Sequence, residues 1–277
     1  MKTFLNYSRI TICAFALIIL HSCGNDDEAA EITIESNTIT DFVANNDDYS
    51  SLNAALQKTG LDIVLAGEGD FTVFAPNNAA FDIFLNGTAL EDVENNVLVP
   101  ILLNHVLNTS IAASSFETGY QKNLATEAST GSNLDLFIDT SNGVILNGQA
   151  AVTTSDITTD NGIIHAVNTV IELPTLDTFL SLDPQLASSY EALTDEGNTT
   201  FSTLFSDLNE DITVFAPNNE AIADLLDGGT IADIDNDVLA RVLSNHILSG
   251  IVGTSSCLLY TSSSPRDRQK SRMPSSA

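Results

Sequence analysis

Histidine, asparagine and acidic side chains in recurring positions are where this 277-residue chain could do chemistry. His105 and His246 each follow an asparagine, Asn104 and Asn245, at the end of an apolar stretch. His105 shares a helical face with Leu98, Ile101 and Leu102, and His246 shares one with Leu239, Val242 and Leu243. A histidine so placed either lies at the core margin, bonded to a backbone carbonyl, or offers a ring nitrogen to a ligand. His165 shares a strand face with Ile163, Val167 and Ile171, and the same alternatives apply. Asn77-Asn78 and Asn218-Asn219 precede apolar helical stretches, where capping is the economical role and ligand contact the alternative. Asn77, Asn78, Asn104, His105, Asn218, Asn219, Asn245 and His246 are therefore the candidate ligand-binding set.

Asp233-x-Asp235-x-Asp237 begins like a calcium loop, but Val238 replaces the glycine that should follow and Ser244 stands where a bidentate glutamate belongs. Its equivalent, Asp92-x-Glu94-x-Asn96, opens a helix, where acids favourably oppose the N-terminal dipole. A structural role is expected, and no metal site is assigned. The sequence contains no G-x-S-x-G, H-E-x-x-H, Walker or dinucleotide-binding pattern. Neither a catalytic residue nor a cofactor is expected.

Charge narrows the partners. Nine Lys+Arg face 37 Asp+Glu, for a formal charge of −28. Such a surface repels a polyanion, which argues against nucleic acid and against direct adsorption to anionic lipid. With 43% apolar residues the chain is nonetheless hydrophobic enough to fold. Lys2 and Arg9 precede the apolar run Ile10 to Leu20, which is too short to span a bilayer and reads as a signal peptide over residues 1–22. Leu20-His21-Ser22-Cys23 resembles a bacterial lipobox, with His21 a departure, so Cys23 is expected to carry lipid. The small and acidic run Gly24 to Glu28 opens a tether over 23–37 and resembles the export signal of surface-facing outer-membrane lipoproteins. The segment 257–277 is Ser-rich and holds Arg266, Arg268, Lys270 and Arg272; it resembles translated sequencing adaptor and is expected to be non-native. Between Gly24 and Ser256 only Lys58, Lys122 and Arg241 oppose the acids, and no thiol remains for a disulfide, nucleophile or zinc site.

A repeat organises the body. Phe71-Thr72-Val73-Phe74-Ala75-Pro76-Asn77-Asn78 recurs as Ile212-Thr213-Val214-Phe215-Ala216-Pro217-Asn218-Asn219. Asp92 to Leu98 recurs at Asp233 to Leu239, and Asn104-His105-Val106-Leu107 at Asn245-His246-Ile247-Leu248, all with an offset of 141 residues. So long a period means duplicated domains. Phe71 to Ala75 reads as a short strand ended by Pro76 and followed by a helix carrying Phe81, Phe84 and Leu85. A second helix follows Asn95-Asn96, with Pro100 near its start. Leu134 to Ile138, Gly143 to Leu146, Ala150 to Thr154 and Ile163 to Ile171 read as strands, with turns at Ser141-Asn142-Gly143, Asn147-Gly148 and Asn161-Gly162. Helices first and an antiparallel sheet last predict an α+β fold.

On these motifs the chain resembles the fasciclin (FAS1) domain family. The first family motif, T-V-F-A-P-x-N-x-A-F, is matched from Thr72 through Phe74, Ala75 and Pro76 to Phe81; the second, G-x-I-H-x-V-D-x-V-x-x-P, from Gly162 through His165 to Pro174, with Asn168 in place of Asp. These motif residues are expected to be structural. The resemblance implies helices packed on an antiparallel sheet or wedge in copies at 38–174 and 175–256, the second lacking its closing strands. A Tyr-His step used for integrin binding in some animal relatives is here Asn104-His105 and Asn245-His246, so that recognition is not carried over. The resemblance further implies a non-enzymatic surface lipoprotein that adheres to an extracellular matrix protein, a polysaccharide or another cell, touching membrane through its lipid alone. A glycan-binding accessory to carbohydrate uptake is the alternative, and a hydrolase the weakest reading.

Overall fold

The computed structural model describes residues 37–194, 199–207 and 211–253, all within one unit beginning at Ser36. The signal peptide, Cys23, most of the tether and the segment 257–277 lie outside the described residues. Three helices open the first copy: α1 (Ile39–Ala44), α2 (Ser50–Thr59) and α3 (Leu61–Ala66). Strand β1 (Phe71–Pro76) leads into α4 (Asn78–Leu85), α5 (Asn95–Asn104) and the two-residue strand β2 (Val106–Leu107). Then come β3 (Gly119–Thr126), β4 (Asn133–Asp139), β5 (Ile145–Leu146), β6 (Ala150–Thr159) and β7 (Gly162–Val167). Seven strands form one sheet in the order β2-β1-β7-β6-β5-β4-β3.

The α+β class holds, with one departure from a purely antiparallel sheet. Strand β1 runs parallel to β7 in the register Phe71↔Gly162 through Pro76↔Val167, while every other ladder in this sheet is antiparallel. Residue punctuation marks where strands stop but leaves undetermined the direction in which two strands so far apart in sequence meet. All six positions of β1 are buried, as expected of a strand covered on both faces. Phe71, Val73 and Ala75 join the helical core with Phe81, Leu98 and Leu102, whereas Phe74 faces Leu107, Leu136, Ile138 and Ile171 on the other side. Gly162 is required at the start of β7, since a Cβ there would overlap the Phe71 backbone carbonyl.

Other boundaries shift for identifiable reasons. The strand expected over 163–171 ends at Val167, because the backbone at Ile171 and Glu172 is hydrogen-bonded by side chains of Asn104 and His105 rather than by a ladder. Asn95-Asn96 lie inside α5, with Glu94 at the N-cap position and making no side-chain capping bond, so Pro100 is the sixth of ten helical residues and removes one internal hydrogen bond. The Asn147-Gly148 turn has φ values of 46° and 64° and closes through Gln149 N–H to the Leu146 carbonyl, the left-handed pair a tight hairpin demands.

The second copy comprises α6 (Leu176–Leu182), α7 (Ala187–Thr194), α8 (Thr199–Ser206), β8 (Ile212–Val214), α9 (Asn219–Leu226), α10 (Asn236–Ser244) and β9 (Ile247–Ser249). Among the described residues β8 and β9 form a two-stranded sheet over a separate core containing Phe205, Ile222, Leu239 and Leu243. Phe215 is 46% exposed where its equivalent Phe74, packed against the rings of Phe116 and His165, is 0%. The local clamp is nevertheless the same in both copies. Thr72 Oγ1 donates to the Thr109 carbonyl and accepts from Ile111 N–H; Thr213 does so with Gly250 and Val252, each partner 141 residues on.

Candidate functional site

The paired asparagines cap or clamp helices in both copies, and each member has its own partners. Asn77 is the N-cap of α4, its Oδ1 accepting from Ala80 N–H at 2.9 Å. Asn78 caps a different helix: its Oδ1 accepts from Ser51 N–H at 2.9 Å, at the start of α2, and its Nδ2 donates to the Asp47 carbonyl at 2.8 Å. Asn218 and Asn219 repeat this, Asn218 capping α9 through Ala221 N–H and Asn219 joining Ser188 N–H to the Pro184 carbonyl. The pair thus pins the strand-to-helix step onto the helix before it.

At the end of α5, Asn104 and His105 are sealed. Asn104 is 0% exposed; its Nδ2 donates to the carbonyls of Ile171 and Glu172, and its Oδ1 accepts from Asn123 Nδ2 at 2.7 Å. His105 is 2% exposed, with Nδ1 donating to the Ile101 carbonyl at 2.7 Å and Nε2 accepting from Ile171 N–H at 2.8 Å. Burial pulls its pKa down to about 4, against the upward pull of the bond to Ile101, so the ring is neutral at pH 7. His165 is spent the same way: Nε2 donates to the Ile111 carbonyl at 2.9 Å, and Nδ1 accepts from Asp156 N–H at 3.2 Å beneath Phe74. Neither ring has a nitrogen left for a substrate. Asn168 accepts from Ala151 N–H through Oδ1, an atom an aspartate would also supply.

In the second copy Asn245 is exposed, its Nδ2 donating to the Arg241 carbonyl, and His246 is half-buried with Nδ1 donating to the Val242 carbonyl at 2.8 Å. The alternating acids serve as caps. Asp233 accepts from Thr230 N–H and hydroxyl, and that backbone bond is the main reason its pKa is lowered; Asp235 accepts from Asp237 and Val238 N–H at the start of α10.

What opens to solvent near the first motif is a polar groove of about 470 Å³. It lies between the start of α2, the β1–α4 step and the β6–β7 pair, lined by Asp48, Tyr49, Asn77, Asn78, Thr153 and Thr154. The Tyr49 hydroxyl, Asn77 Nδ2 and Thr154 Oγ1 make no hydrogen bond among the described residues, so the groove presents free hydroxyl and amide groups beside one carboxylate. Burial, and secondarily Asp48, raise the Tyr49 pKa, keeping it a protonated donor. Of the sequence candidates the groove gathers Asn77 and Asn78 alone. Asp48, Tyr49, Thr153 and Thr154 carry no sequence signal, because a bulged register in β6 and the packing of α2 bring them together.

Known proteins are similar to this chain. The Fasciclin domain family matches residues 47–174 and 185–273, the second match running past the described residues into 257–277. Periostin of Homo sapiens is 29% identical over 225 residues, which are 78% of this chain but 24% of periostin, so the chain spans about a quarter of that relative. Protein sll1483 of Synechocystis is 36% identical over 140 residues, 50% of this chain and 74% of that protein. A solved FAS1 domain pair from the insect cell adhesion molecule Fasciclin I aligns over 79% of each chain at 16% identity and a TM-score of 0.47. With both matched segments together exceeding half its residues, the chain belongs to the Fasciclin domain family.

Proposed function

We propose that this chain is a non-enzymatic cell-surface protein that works by contact, adhering to an extracellular matrix protein, a polysaccharide or another cell through its fasciclin copies at 38–174 and 175–256. Family membership supports adhesion. The observation that carries the reading is the pairing of backbone-engaged histidines with an open groove whose Tyr49, Asn77 and Thr154 donors are free. Such a lining holds a polar ligand without transforming it. Residues 1–22 act as the signal peptide, and lipid on Cys23 with the tether to residue 37 holds the body at the outer-membrane surface. The hydroxyl and amide lining also favours a second reading, glycan capture for uptake.

The test is binding of the full chain to immobilised matrix proteins and to a glycan array, with Asp48→Lys/Thr154→Lys filling the groove. At least a tenfold loss with an unchanged melting temperature is expected; full retention moves the contact elsewhere. Tight binding of a single sugar class favours uptake. Ester or glycoside turnover abolished by changing His105 or His165 overturns the non-enzymatic reading. Protease shaving of intact cells is expected to release the body, and Cys23→Ala to release the chain from membranes.

A further inference from the structure

The asparagine clamp is built in both copies, but the residues it encloses differ. Asn78 joins the Asp47 carbonyl to Ser51 N–H, and Asn219 joins the Pro184 carbonyl to Ser188 N–H. Between those anchors, Asp48 and Tyr49 of the first copy correspond to Gln185 and Leu186 of the second. The clamp closes around either pair, so the fold does not call for a carboxylate and a phenol there. In the first copy both line the groove of about 470 Å³, beside Asn77 and Thr154.

The unspent groups of that lining match an ammonium. The Asp48 carboxylate and the Tyr49 and Thr154 hydroxyls make no hydrogen bond among the described residues, and each has lone pairs to offer. A lysine ammonium carries three N–H donors and no acceptor, so such a set serves it fully. Asn77 Nδ2 is left to donate to a backbone carbonyl of the same segment. The cations among the described residues are committed elsewhere. Lys58 meets the carbonyls of Leu90, Glu91 and Val93, Lys122 pairs with Asp135 at 2.7 Å, and Arg241 Nε donates to the Asp237 carbonyl at 3.0 Å. A chain of net charge −28 draws in a cationic segment and repels a sulfated or uronic polysaccharide.

We propose that the groove takes a lysine side chain of an extracellular protein, its ammonium on Asp48, Tyr49 and Thr154; this names the partner of the contact surface proposed above and rests on that reading. The probe is the capped tripeptide Gly-Lys-Gly, titrated at low salt into the full isotope-labelled chain and followed by NMR. Saturable shifts of the Asn77 side-chain amide and the Thr154 N–H are expected, with affinity about fivefold or more above that of the Nε-acetyl-lysine and norleucine tripeptides. Asp48→Asn is expected to weaken binding about fivefold and Tyr49→Phe about threefold. Glu117→Gln, which removes the same charge from an exposed position outside the groove, changes it less than about twofold. Equal affinity for the three tripeptides, no saturable shift, or equal effects of Asp48→Asn and Glu117→Gln overturns the proposal. If Asp48→Lys/Thr154→Lys abolishes glycan binding that the lysine tripeptide does not compete, the lysine assignment falls and the groove stands as a polysaccharide contact. If that variant keeps full matrix binding while the tripeptide still binds the unaltered chain, the lysine site stands and adhesion lies elsewhere.

Discussion

His105 shows how a residue with the right chemistry is consumed by structure. The folded ring titrates at about 4 rather than 6.5 because it is buried. Between those values the unfolded chain binds a proton that the native ring refuses, so stability rises with pH across the window and is complete above it. At about 1.4 kcal/mol per unit, the residue is expected to cost ~3 kcal/mol of stability between pH 7 and pH 4. Urea unfolding compared with His105→Gln checks this; an identical slope in both would refute it. Glu127 acts in a separate window. Bonds led by the one from Ser129 N–H hold its pKa at about 2, so its contribution is present above the ordinary carboxylate value and lost as pH falls through 2.

At the scale of elements, Asn78 is the join between α4 and α2. Three bonds meet on it, from Ser50 hydroxyl, from Ser51 N–H and to the Asp47 carbonyl. Asn78→Ala is expected to cost about 1–2 kcal/mol in urea unfolding, the range of a lost helix cap. Loss below a few tenths would mean water replaces the clamp. Asn161 joins elements the same way. Its Oδ1 accepts from Ile39 N–H, its Nδ2 donates to the carbonyls of Leu65 and Gly67, and its own carbonyl accepts from Phe71 N–H. Lys58 meets the carbonyls of Leu90, Glu91 and Val93, so one of the few basic residues of the body is used inside the first copy.

At the scale of the molecule, the copies meet through Tyr120. Its hydroxyl donates to Asp183 at 2.9 Å, and its ring packs edge-on between Phe137 at 5.1 Å and Phe179 at 5.6 Å. Burial first, and the Asp183 bond second, raise its pKa, so the bond persists across the physiological range. Tyr120→Ala is expected to lower hydrogen-exchange protection in α6 about tenfold, or ~1.4 kcal/mol, while protection in β1 and β7 stays unchanged. Unaltered exchange in α6 would show that its docking rests on other contacts, such as Leu182 over Gly148.

The sequence alone determined the duplication, the fasciclin resemblance, the α+β class and the strand and turn signals, because these rest on local chemistry: periodicity, proline and glycine stops, and capping residues. It also offered two open roles for each histidine and each asparagine pair. Only the tertiary structure shows where their hydrogen bonds go, since partners such as Ile171 for His105 and Ser51 for Asn78 lie far along the chain. The parallel β1–β7 pairing and the groove under β6 were likewise decided there. Each depends on which distant surfaces meet and how much volume they leave, and local residue pattern encodes neither.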